Sequence, residues 1–376
     1  MPRSDRTHHR VLASAFVVAF ALAVSASAFG QHYTRTDLTV DQSSVSPNAP
    51  NHDPNLVNAW GLARSSSSFW WVADNGTGLS TLYDGTGAPQ QLVVKIPLPK
   101  GQKNGTAAPT GTVFNFTTGF EVAPKMPAIF IFVTEDGTIS AWNPKVDPTN
   151  AVLKLDRSGK AIYKGCAIAQ TRFGPRLYAT NFMTGKVEVF DAGFNRVRDD
   201  HDELAPHAFK FPGLSNHWAP FNIQNVGGNL VVTFANRDPG SKDENHGAGL
   251  GFVGIFSRRG RLLTALEHGP WFNAPWGVAL APSDFGPFSH RLLIGNFGDG
   301  AIHAFNVVTG RRVGALLDTA GNVLKIDGLW SIQFGGNAKN SGSATELFFT
   351  AGPNDENNGL FGKISPTVAE GRGASE

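Results

Sequence analysis

Asn58-Ala-Trp-Gly-Leu62 followed by Trp71-Val-Ala-Asp-Asn75 decides the fold, because the pair returns as Ala274-Pro-Trp-Gly-Val278 and Leu293-Ile-Gly-Asn-Phe297. Each copy has a Trp/Pro/Gly-rich opening, a hydrophobic strand ending in a small polar residue, a tight glycine turn and an aromatic strand. Six such units recur at a period of about 45 to 60 residues, the signature of a β-propeller, since one short-stranded unit cannot bury both faces of its sheet without a neighbour.

Naming the strands a to d from axis to rim, strand a begins near Trp60, Thr110, Gly165, Pro220, Pro275 and Gly328. Strand b covers 71–74, 130–134, 177–180, 230–235, 292–295 and 346–350, and strand c covers 80–84, 139–143, 187–191, 253–257, 302–306 and 360–364. In the first five units an aromatic followed by Asp, Asn or Ser closes strand c. The aromatic is expected to fill the gap between sheets and the short polar side chain to cap the next turn. Turn signals Asp84-Gly85, Asp136-Gly137 and Asp299-Gly300, with 43 Gly and 23 Pro overall, fit hairpins rather than helices. The last repeat runs out soon after Ile364, whereas residues 33–40 alternate like a strand and have no repeat of their own. The expected fold is therefore all-β, a single six-bladed β-propeller over 29–366, closed by an N-terminal strand that removes an open sheet edge.

The chain's ends and charge bound the function. Arg3, Arg6 and Arg10 precede an apolar run from Val11 to Val24, and Ala26-Ser27-Ala28 supplies a small-residue cleavage pattern, so residues 1–28 read as a secretory signal. The mature protein is expected in the periplasm or outside the cell. No later run reaches the roughly 20 apolar residues of a membrane helix, so no membrane insertion is expected after cleavage. The polar stretch 367–376 reads as a disordered tail. The net charge of +2 falls to near zero once the signal is removed, and no Lys/Arg-rich run exists to displace counterions, which argues against nucleic acid. The single cysteine, Cys166, lies in an inner strand and reads as a small buried hydrophobe.

Chemistry can sit on the face shared by the b–c turns. Strands b end there with Asp74-Asn75, Glu135-Asp136, Asn181, Asn236 and Asn296, a ring of oxygen donors at comparable positions. Asn75, Glu135, Asn181, Asn236 and Asn296 are the candidate ligands of a hard divalent cation such as Ca²⁺, with turn-capping as the competing role. Two loops on that face share Asp-Glu-Asn-x-Gly, at 243–247 and 355–359, and make Asp243, Glu244, His246, Asp355 and Glu356 candidate binding residues. His217, Trp218 and the axial Trp60, Trp276 and Trp330 complete that set. His303, on strand c, reads as a cross-strand surface residue. Gly-x-Ser-x-Gly, His-Glu-x-x-His and Gly-x-x-x-x-Gly-Lys motifs are absent.

At 55–63, 71–78 and 274–279 the chain resembles a family of uncharacterised secreted bacterial propeller proteins, some bearing a PEP-CTERM sorting tail. That tail's Pro-Glu-Pro, hydrophobic helix and basic end are lacking here, so anchoring by that route is not expected. The resemblance implies no activity. More remotely the repeats look like NHL-type propellers and the gluconolactonase/strictosidine synthase group, in which axial Glu, Asn and Asp residues hold a divalent metal. The expected function is a binding or scaffold propeller using the b–c loop face to hold a protein, glycan or small molecule. A metal-dependent hydrolase or lactonase and a structural envelope component are the alternatives.

Overall fold

The computed structural model describes residues 32–197 and 203–367. The expected signal segment and residues 368–376 lie outside the described residues. Six blade sheets follow the chain in order, antiparallel except for the outermost pair of blade six, and Glu121–Ala123 with Met126–Pro127 forms a separate two-stranded sheet. Blade one contains Ala59–Ala63, Trp70–Asp74, Leu79–Tyr83 and Val94–Lys95, and blade two Pro109–Phe114, Phe130–Thr134, Thr138–Trp142 and Val152–Asp156. Blade four is built from Trp218–Val226, Asn229–Asn236, Gly251–Phe256 and Leu262–Ala265, and blade five from Pro275–Leu280, Leu292–Asn296, Ile302–Phe305 and Arg312–Ala315.

Two blades depart from four strands. Blade three holds only Tyr163–Thr171, Gly174–Asn181 and Lys186–Phe190 among the described residues, so the expected fourth strand is missing there. Blade six joins Leu329–Phe334, Leu347–Ala351 and Leu360–Pro366 to the N-terminal strand Tyr33–Val40, with Asn51–His52 outermost. The register runs from Tyr33 opposite Pro366 to Val40 opposite Leu360, so the two ends of the described chain close the ring. Thr367, expected in the tail, is tied down by donating its N–H to the His32 carbonyl at 2.8 Å.

The inner strands crowd the axis, which explains the glycine after the tryptophan. A Cβ on Gly61 would collide with the Thr110 carbonyl of the next blade, and one on Gly277 would sit 2.9 Å from the Trp330 carbonyl. Side chains then staple neighbours: Thr110 donates to the Tyr163 carbonyl (2.7 Å), Asn222 to that of Trp276 (2.8 Å) and Thr350 to that of Trp60 (2.5 Å). Each such bond ties a side chain of one blade to a backbone carbonyl of the next blade's inner strand.

Between sheets, the strand-c aromatics Tyr83, Phe190, Phe256, Phe305 and Phe361 are fully buried, and Trp142 packs 4.7 Å from Trp71. The residues after them cap turns as expected. Asp84, Asn143, Asp191 and Asn306 each accept backbone N–H groups two to four residues on, and Ser257 accepts that of Arg261. Cys166 is buried, and desolvation pushes its thiol pKa far up, so it packs as a hydrophobe. His303 is a correction: it is 6% exposed, and burial beside Arg312 pulls its imidazole down to about 4. Strand c of blade five is covered on both faces, so alternation along it marked no surface. No helix among the described residues is long and apolar enough to cross a membrane.

Candidate functional site on the axis

The site starts from a lysine in an apolar strand. Lys164, on the inner strand of blade three, is 1% exposed. Its Nζ lies 2.7 Å from Glu135 Oε1 at the end of strand b of blade two, and 3.9 Å from Glu244 Oε2 in the blade-four loop. An ammonium so deeply buried persists only when paired. Glu135 is engaged at both oxygens, because Asn75 donates to its Oε2 at 3.0 Å. Asn75 accepts in turn from Asn58 (3.3 Å), whose Oδ1 accepts the Trp330 indole N–H at 2.8 Å. A chain of polar contacts thus runs from blade six through one and two to three.

Beneath the charges lies an aromatic floor. Trp330 is sandwiched between Trp60, with centroids 3.6 Å apart, and Phe297, at 3.9 Å, and Trp276 meets Trp60 edge-on. The Lys164 ammonium sits 4.9 Å from the Trp60 ring centre, within cation–π range. Local backbone sets these rings: the residue two before the tryptophan is left-handed in three blades, at Asn58 (φ 47°), Ala274 (φ 46°) and Gly328 (φ 62°).

The two repeated loops deliver the remaining acids. In blade four, Asn245 bonds back to Asn236, closing the loop that carries Glu244, and the His246 ring nitrogen lies 3.4 Å from Glu244 Oε1. His246 also meets Phe297 edge-on at 5.1 Å. In blade six, Asn354, Asp355 and Glu356 are all left-handed (φ 56°, 52° and 64°), a costly conformation for three successive non-glycine residues. That turn brings Glu356 into the field of Glu244, Lys164 and Glu135. Blade six has Gly352 where other blades place an oxygen donor, because a side chain there would run into Asn58 and the Trp330 indole.

The electrostatics follow from the count. Burial pulls the Lys164 ammonium down, but Glu135 and Glu244 outweigh it and hold the pKa above its usual value. Burial pushes Glu135 up, and the Lys164 charge and hydrogen bond more than reverse this. Glu356 has no such compensation: burial, then the charge of Glu244, raises it to about 7, against a partial offset from Lys164. The Glu244 hydrogen bond raises His246. Three glutamates face Lys164 and His246, so even with the imidazole protonated the cluster is one positive charge short.

The expected ring of five oxygen donors is not what assembles. Asn75 and Glu135 meet, but Asn181 accepts from Thr184 and Ile162 within its own blade, and Asn296 donates to the Trp271 carbonyl and to Asp299. Asn236 holds the base of its own loop. Of these three only Asn181 caps backbone N–H groups; the Asn236 Oδ1 accepts from the Asn245 amide, and the Asn296 Oδ1 is buried without a partner among the described residues. Among the described residues no group of three or more His, Cys, Asp and Glu is arranged to hold a metal ion. Of the binding candidates, Trp60, Trp276, Trp330, Glu244, His246 and Glu356 converge. Asp243 and Asp355 are exposed neighbours in the same loops, His217 is exposed, and Trp218 packs edge-on against Phe252 at 4.7 Å, away from the axis. Lys164, Asn58 and Phe297 were missed. A lysine inside Tyr163-Lys-Gly-Cys166, where the other inner strands carry no charged residue, was the available signal.

No protein-family model matches the chain. An uncharacterised protein of Acanthamoeba polyphaga mimivirus is 32% identical over 327 residues, covering 84% of this chain and 76% of that protein. A second uncharacterised protein of the same virus is 30% identical over 330 residues, covering 84% and 82%. Among solved structures, the soluble aldose sugar dehydrogenase of Escherichia coli in its apo form superposes with a TM-score of 0.53 at 14% identity, covering 89% of this chain and all of that one. A protein of unknown function from Bacteroides thetaiotaomicron gives 0.52 at 11%, covering 90% and 76%. These structural likenesses concern the propeller fold alone. The relatives in sequence are viral, so they lend no support to the bacterial, sorting-tail affiliation that the motifs suggested. The chain belongs to one family with the two mimivirus proteins.

Proposed function

We propose that this member of that family is a binding propeller whose b–c loop face takes a cationic group, a protonated amine, at the axial glutamate cluster. The observation that carries this reading is Glu356, which burial and then the charge of Glu244 hold near a pKa of about 7, while the Lys164 ammonium, bonded to Glu135 and 3.9 Å from Glu244, offsets them only in part. A second ammonium between Glu244 and Glu356 would supply the missing charge, gain charge-assisted hydrogen bonds and stand beside the Phe297 and His246 rings. A divalent cation is the second reading, since hard metals favour carboxylate oxygen. Ca²⁺ takes about 6–8 oxygens, and with Glu135 engaged by Lys164 and Asn75 the donor set suits an amine better. Export, supported by the Arg3 to Ala28 pattern, belongs to the same proposal and places the ligand outside the cytoplasm.

The test is thermal melting with n-butylammonium and, separately, CaCl₂, on the unmodified protein and on Glu244→Gln and Glu356→Gln. A ligand that binds the folded state stabilises it by about 2.7 kcal/mol at a hundredfold excess over Kd. The amine is expected to raise Tm in the unmodified protein and to do so much less in either variant. A rise with calcium alone would transfer the site to the metal reading and restore the hydrolase alternative. No rise with either ligand would end the binding reading of this cluster.

A further inference from the structure

A second cavity lies between blades three and four. Blade three has three strands among the described residues, and beside it the segment from Glu203 to Ser215 helps to line a cavity of about 470 Å³. That is the size of a small-molecule pocket. Phe209, Phe211, Leu214 and Phe234 supply an apolar wall, and Trp218 stands at one end. Lys186, Lys210 and Arg196 line the polar side.

Arg237 decides what the cavity wants. It follows strand b of blade four, is 5% exposed, and its side chain makes no hydrogen bond or ion pair with the described residues. Its contact is with the Phe182 ring, 5.3 Å from the guanidinium carbon. Nε is buried without a partner, and desolvation lowers the guanidinium's pKa. Arg157 is paired with Glu188 at 2.9 Å and Arg176 with Glu203 at 2.7 Å, whereas Arg291, away from this cavity, also has a buried Nε without a partner among the described residues. The carboxylate lining this cavity, Glu188, is already held by Arg157 and by the Tyr163 hydroxyl at 2.6 Å. A buried Nε–H without an acceptor is costly, and the guanidinium's planar fork matches a two-oxygen anion.

We propose that this cleft binds a small molecule bearing an oxyanion on an apolar body, with Arg237 anchoring the anion and Phe209, Phe211 and Phe234 holding the body. Isothermal titration with phenylacetate, phenyl phosphate and uncharged phenylacetamide tests it. One of the two anions should bind saturably with one site per chain, and the amide at least tenfold more weakly. The tighter anion assigns carboxylate or phosphate. Arg237→Met should weaken the anion at least tenfold while leaving Tm equal or higher, because it removes an uncompensated charge. Lys210→Ala, at an exposed position, should weaken it less. Equal binding of acid and amide, no saturable anion binding at millimolar concentration, or undiminished binding in Arg237→Met would each overturn the proposal. So would a large loss of stability in that variant, which would mark Arg237 as a structural residue.

Discussion

Glu356 makes the protein's stability pH-dependent in a direction opposite to ordinary acid denaturation. Its pKa is about 7 folded and 4.5 for the free side chain, so between those values the folded state binds the extra proton. Its favourable contribution is complete below about pH 4.5 and is lost as pH rises through about 7. Chemical denaturation at pH 5.5 and 8 should show this, and Glu356→Gln should flatten the slope; a slope unchanged by that substitution would detach the effect from this residue. Lys164→Met should cost about 3–5 kcal/mol, the usual result of breaking a buried ion pair, with partial recovery at low pH as the glutamates protonate. Glu244 and Glu356 were legible beforehand because a repeated Asp-Glu-Asn-x-Gly loop stood out. Lys164 was not, because its partners come from other blades and nothing near it in sequence names them.

At the scale of elements, strands were readable because apolar alternation, glycine turns and the closing aromatic repeat in every blade. The N-terminal strand was inferred from a shortage, an edge left open in blade six, and pairs as expected. That blade three shows no fourth strand among the described residues was unreadable, since the loss of a pattern in a polar segment resembles any long loop. Tyr33 shows what closure is worth: it is 1% exposed, donates its hydroxyl to the Phe285 carbonyl at 3.0 Å and packs on Phe285 and Phe288. Tyr33→Ala should destabilise by about 3–5 kcal/mol, as for other large aromatic truncations. Denaturant unfolding checks this, and a loss below about 1 kcal/mol would mean that the ring closes without it.

For the whole molecule, six sheets converge side chains from distant stretches onto one axis, and this convergence, invisible in any single repeat, makes the site. The opposite end of the axis is different. There a cavity of about 340 Å³ is lined by inner-strand residues such as Leu62, Thr112, Ala167, Gln224 and Gln333, with no comparable charge cluster among them. The central claim is that the loop-face end is short of one positive charge, and proton release tests it most directly. Near pH 7 Glu356 is about half protonated, and a cation bound beside it must lower its pKa. Calorimetric titration with n-butylammonium in two buffers of different ionisation enthalpy should therefore report release of up to about half a proton per site, abolished in Glu356→Gln. Binding heats independent of the buffer, or proton uptake, would contradict the account.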